Sequence, residues 1–141
     1  MNDNRHAQYG VFLLRVSMGI MFLAHGLVLK VMNYGFAGTA GFFESIGYPA
    51  IFAHIVIVAE ILGGIALILG VLTRLVSILF LPIMLGALLL HLPYGWVFSA
   101  PNGGWEFPDF WTVALVAQAL LGDGAFALQS RLPFGGRQAA A

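Results

Sequence analysis

The chain has 141 residues, 60% of them hydrophobic and 9% charged, with a mean hydropathy of +0.93. Soluble domains carry about 25% charged residues, so this composition is that of an integral membrane protein. Six basic and six acidic residues balance to zero, which leaves no basic surface for nucleic acid, and the lack of cysteine excludes thiol redox chemistry, disulfides and cysteine metal sites within the chain.

After a short polar lead, residues 9–29 form a first apolar run broken by Arg15, Ser17 and His25. It reads as mature structure and not as a signal peptide, because only Arg5 precedes it among basic residues and no A-x-A site follows it. From Lys30 to Tyr48 the pattern changes. Thr39 is placed to cap a short helix, and Phe42, Phe43 and Ile46 make an apolar stripe ended by Gly47, which predicts an interfacial helix. Pro49 suits the first turn of a second span, about residues 52–72, and Thr73-Arg74 is the only polar material in the tight turn that follows. A third span over about 75–92 contains Pro82 and closes at His91. The loop after it holds Trp96 and Trp105, as expected at headgroup level. Asp109 is read as the cap of a fourth span, about 109–128, whose end is left open by Gly122-Asp123-Gly124. The tail, 129–141, carries Arg131 and Arg137 and is expected to be disordered. The fold class expected is therefore all-α: one domain of four transmembrane helices in a compact bundle, with a short interfacial helix between the first two.

The basic residues orient it. Arg5, Arg74, Arg131 and Arg137 fall on one side of four spans and only Lys30 lies in a loop on the other, which predicts cytoplasmic termini. Small residues predict where helices touch. Gly19 and Gly26 share one face of the first span, and Glu60, Gly63, Gly64, Leu67 and Gly70 share one face of the second, so these glycines are expected to pack the first two spans together.

Glu60 is the strongest candidate for chemistry. A carboxyl group in hydrocarbon costs about 3 kcal/mol on insertion scales and needs a partner or a watered cavity. At 1.5 Å per residue Glu60 lies about 12 Å below the start of its span and His25 about 6 Å below the end of its own. His54 and His91 fall near the same level, with Lys30 and Glu106 at the rim, so these six residues are the ligand-binding candidates. The alternative is that Glu60 pairs with His25 or Lys30 and only staples helices. Haem or metal is the less favoured ligand, because the histidines come from separate helices without i, i+3 or i, i+4 spacing, and no metal ligand is assigned. Arg15 and Asp123 are expected to form a structural ion pair toward the other end. Trp111, like the loop tryptophans, is read as an interface anchor.

The run R-x3-G-x5-H-G-x3-K (Arg15, Gly19, His25, Gly26, Lys30), followed by E-x2-G-G-x5-G-x2-T-R (Glu60, Gly63, Gly64, Gly70, Thr73, Arg74) and by N-G-G-W-E at Asn102–Glu106, resembles the DoxX family of small four-helix membrane proteins. The resemblance covers Arg15 to about Leu128. It departs at the end, where the family's G-P-G-x-x-S-L-D is replaced by Gly122-Asp123-Gly124-Ala125-Phe126-Ala127-Leu128-Gln129.

That resemblance implies a bacterial cell (inner) membrane and an association with quinone-linked, sulfur-linked or oxidative-stress oxidoreductases. The function expected is an accessory membrane subunit of such a system, presenting a quinone or small substrate at Glu60. The bilayer, a redox-enzyme partner and a homo-oligomer are its expected partners. No flavin, iron–sulfur or nicotinamide motif is present, so a partner would carry the electrons. A small proton- or cation-coupled transporter and a scaffold or assembly protein are the alternatives, although no inverted repeat marks a transporter.

Overall fold

A computed structural model describes residues 2–133. Arg137 and most of the expected disordered tail lie outside the described residues. Helix α1 (Asn2–Leu23) runs on into a π-helical segment (Ala24–Asn33). Then come α2 (Gly35–Ser45), α3 (Ala50–Leu69), α4 (Thr73–His91) and α5 (Glu106–Leu121), with short 3-10 turns at Leu92–Tyr94 and Leu128–Arg131. Three helical stretches are long and apolar enough to cross a membrane: Asn4–Asn33, Ala50–Leu69 and Thr73–Tyr94. The fourth is shorter. Helix α5 has 16 residues, about 24 Å of rise against the roughly 30 Å of a hydrocarbon core.

Its boundaries correct the expected 109–128. Trp105 occupies the N-cap position and Asp109 sits inside the first turn, while Gly122, at φ +84, stops the helix at Leu121. Thr39 is likewise no cap. It lies buried in the middle of α2 and donates its hydroxyl to the Lys30 carbonyl at 3.0 Å, tying α2 to the π segment. Helix α2 itself packs on α3 and on the π segment, with Phe42 half out of the protein.

The turn between α3 and α4 is tight for a physical reason. Gly70, at φ +73, ends α3 in the left-handed region, and the Val71 N–H donates back to the Ala66 carbonyl at 2.9 Å, as in a Schellman cap. Leu72 is also left-handed, at φ 51, a conformation a leucine does not adopt without support. Gln129 supplies the support: its side-chain oxygen accepts the Leu72 N–H at 3.0 Å while its own N–H donates to the Gly70 carbonyl at 2.9 Å.

The helices pack closely in two pairs, α1 with α3 and α4 with α5, and more loosely between pairs. Gly19 and Gly64 explain the first. A Cβ on Gly64 would meet the Gly19 carbonyl oxygen and the Leu23 nitrogen, both at 2.8 Å, so the two backbones touch with no room for a side chain. Gly26 likewise packs on α3, its Cβ position 2.9 Å from that of Glu60. Gly63 does not join that seam. A Cβ there would run into the Phe80 ring of α4, because one residue along a helix turns the side chain by about 100°, onto the other neighbour. Gly70 faces the Arg15 guanidinium and Ala127.

Between the pairs lies a core of Met18, Phe22, Leu67, Phe80, Met84, Trp111 and Leu115. The Phe22 and Phe80 rings stack 3.6 Å apart, and Trp111 lies 4.6 Å from Phe22. Leu13, Leu62, Leu79 and Leu89 stay more than 60% exposed on the outside of the bundle, the arrangement expected when lipid tails are the solvent.

Candidate functional site

At one end of the bundle the π segment faces α3. His25 and Lys30 are five residues apart, one turn of an i→i+5 ladder, so the π geometry brings both to one side. Two carbonyls here are engaged by side chains: Thr39 holds that of Lys30, and that of Met21 lies 2.8 Å from His25 Nδ1. A carbonyl only accepts, so Nδ1 carries the hydrogen and a neutral His25 keeps Nε2 as a free acceptor.

Glu60 meets Lys30. Glu60 is buried, and Lys30 Nζ lies 3.0 Å from Oε1 and 2.8 Å from Oε2. Only the Oε1 contact is aligned as a hydrogen bond, so Oε2 is buried, held by charge and without a hydrogen-bond partner in the protein. His25 is within electrostatic range of the same carboxylate. Its ring stands edge-on to Trp111 at 5.0 Å, and it lines a shallow groove of about 570 Å³ with Ala24, Val28, Leu29, Met32 and Asn33. A carboxylate, an ammonium and an imidazole acceptor can together donate, accept or relay a proton to a bound polar group.

The other candidates lie apart from this cluster. His54 Nδ1 donates to the Ala50 carbonyl at 3.1 Å and its ring stacks on Phe36. His91 Nδ1 lies within 3.2 Å of the Asn102 and Gly103 carbonyls and closes the 92–105 loop. Glu106 Oε1 accepts the Phe98 N–H at 3.1 Å inside that loop. Similar depth, the argument from sequence, leaves rotation about each helix axis undetermined. Among the described residues no group of three or more His, Asp or Glu side chains stands close enough to hold a metal ion.

At the opposite end Arg15 is fully buried, yet the expected ion pair with Asp123 is not formed. Its Nη1 donates to the Leu67 and Ile68 carbonyls at 2.8 and 3.1 Å, and Nη2 to the Ala125 carbonyl at 2.9 Å. The reason is geometric. The capping N–H groups of Gly70 and Val71 reach only the Leu67 and Ala66 carbonyls at the end of α3, and a guanidinium offers that end further donors at the negative pole of the helix dipole. Sequence reasoning missed three further buried polar side chains, Thr73, Ser77 and Gln118, all fully enclosed. For Gln118 the signal is present in helical spacing, since Trp111, Leu115 and Gln118 lie on one face of α5. The same face buries Trp111, which is therefore no interface anchor.

The sequence profile of the DoxX family matches residues 10–93, a range that contains Arg15, His25, Lys30 and Glu60. The chain belongs to the DoxX family. It is similar to a Bacillus subtilis protein named "Putative oxidoreductase CatD", with 38% identity over 86 residues, 61% of this chain and 62% of that protein. It is also similar to two Escherichia coli proteins. Inner membrane protein YphA is 29% identical over 144 residues, covering 93% of this chain and all of the relative, and inner membrane protein YqjF is 38% identical over 65 residues, covering 46% and 48%. No solved structure matches. This DoxX chain is thus an integral membrane protein of a family whose relatives include bacterial inner membrane proteins.

Proposed function

We propose that this DoxX chain is an accessory membrane subunit of a redox or oxidative-stress system, and that it receives a quinone or another small polar-headed substrate at Glu60, Lys30 and His25. In this reading all four long helices cross the membrane, α5 with its flanking turns included. Both termini then face the cytoplasm, and the Lys30–Glu60 end opens toward the outer leaflet. The observation that carries the proposal is a buried carboxylate paired with one lysine, its second oxygen without a hydrogen bond, at the end of the bundle where an imidazole borders a groove. Ionisable groups at membrane depth are functional by default. The oxidoreductase name of the Bacillus subtilis relative supports the redox setting.

A staple reading competes, because Lys30 already neutralises Glu60. Glu60→Gln separates the two: shape and hydrogen bonding persist while proton chemistry is removed. Complementation of a deletion strain is expected to be abolished by Glu60→Gln with thermal stability nearly intact. Full complementation by Glu60→Gln, with a stability loss confined to Glu60→Leu, would establish the staple. Single cysteines at Ala40 and Asn102 test the orientation, and both are expected to label only from the periplasmic side.

A further inference from the structure

The Arg15 end holds a second polar layer with no assigned role. Four buried side-chain atoms there lack a partner within the protein: Arg15 Nε, Thr73 Oγ1, Gln118 Oε1 and Asp123 Oδ1. They come from α1, the start of α4, the end of α5 and the loop behind it, and the bonding around them draws these elements together. Arg15 holds Ala125, two residues beyond Asp123, while Gln118 Nε2 donates to the Gly122 carbonyl at 2.8 Å, one residue before it. Arg15 and Asp123 are near enough to interact electrostatically.

Each atom is left over for an identifiable reason. The terminal nitrogens of Arg15 are taken by carbonyls and leave Nε. The amide nitrogen of Gln118 is engaged and leaves its oxygen. Thr73 opens α4 directly after the left-handed Leu72, so no preceding helical turn offers its hydroxyl a carbonyl. Such groups in a low-dielectric interior are each costly to leave unbonded.

The donor set decides what they bind. Arg15 Nε–H donates, Gln118 Oε1 and the Asp123 carboxylate accept, and Thr73 does either. A cation is opposed by the guanidinium and an anion by the carboxylate. A neutral molecule that both donates and accepts fits. We propose that Arg15, Thr73, Gln118 and Asp123 enclose a buried water site of one or a few ordered molecules, which brings hydration up to the Phe22–Phe80–Trp111 aromatic layer from the side opposite Glu60. Buried waters of this kind make about three hydrogen bonds each to otherwise unsatisfied groups.

The sign of a stability change tests it. In a dry site, Thr73→Val removes an unsatisfied hydroxyl at constant shape, so the melting temperature in lipid nanodiscs would stay level or rise. In a hydrated site it falls, by about 3 °C or more, and Gln118→Met falls similarly, with the double variant losing less than the sum because the partners share water. A level or raised melting temperature for Thr73→Val overturns the proposal. If these variants do not fold, radiolytic labelling of the wild type decides: modification of the fully buried Leu115, one turn from Gln118, supports bound water, and protection of Leu115 equal to that of Ile57 overturns it. Neither readout depends on substrate binding at Glu60.

Discussion

The two polar ends of the bundle solve the problem of a buried charge in opposite ways. At the Arg15 end the guanidinium gives its terminal nitrogens to three backbone carbonyls, and the loop after α5 closes over it, so the charge fastens secondary structure. At the Glu60 end the charge meets a single long side chain that reaches across from the π segment, one oxygen has no hydrogen bond, and His25 on that segment borders a groove. Backbone partners cannot move without unfolding, whereas a lysine rotates. The comparison teaches that burial alone does not mark a functional ionisable group. Arg15 is more buried than Lys30, yet its terminal nitrogens are committed to the backbone.

The largest expected effect lies in the scaffold that both ends share. Gly64→Leu should abolish a monodisperse peak in gel filtration, at more than about 3 kcal/mol, because the clash is with the Gly19 and Leu23 backbone and nothing there can rotate away. Gly86→Ala, with no atom within 4 Å of its Cβ position, is the matched control and should express normally. Equal behaviour of the two variants would mean that the α1–α3 contact is not what holds the bundle.

Next comes Arg15→Met, which removes the side-chain donor from three carbonyls in the bundle and should cost about 3–5 kcal/mol in detergent melts. Arg15→Lys should recover little, since one ammonium cannot span α3 and the loop after α5. A full rescue by lysine would erase the contrast between the ends.

Smaller is the Lys30→Met effect, about 2 kcal/mol, since it strands the Glu60 carboxylate at a site where Lys30 keeps 17% of its side chain exposed. Adding Glu60→Gln should restore most of that loss while complementation stays absent. A double variant no more stable than Lys30→Met would place Lys30 in packing and not in the ion pair.

The smallest effect is Asp123→Asn, within about 0.5 kcal/mol, because Asp123 forms no ion pair and the amide keeps an oxygen at the same place. A loss as large as that of Arg15→Met would mean that the two act as one unit.

What the amino-acid order determined by itself is the membrane class, the helices, the close approach at Gly19 and Gly64, and the prominence of Glu60. These rest on local quantities: run length, hydropathy and side-chain size along one chain. Even the partner of Glu60 was half legible, since Lys30 and His25 were both named for it. Only the tertiary structure decided the rest. Depth below a membrane surface can be counted along a helix, but rotation about its axis and the facing of its neighbours cannot, and only the fold shows that His54 bonds to the Ala50 carbonyl while His91 and Glu106 bond to the 92–105 loop. Charge suggests a countercharge for Arg15, whereas the fold offers it the carbonyls at the end of α3. Gly63 turned to Phe80 because a single residue step carries it around the helix. The π segment that brings His25 and Lys30 to one side has no composition of its own, and only the fold shows it, packed against α2 and α3.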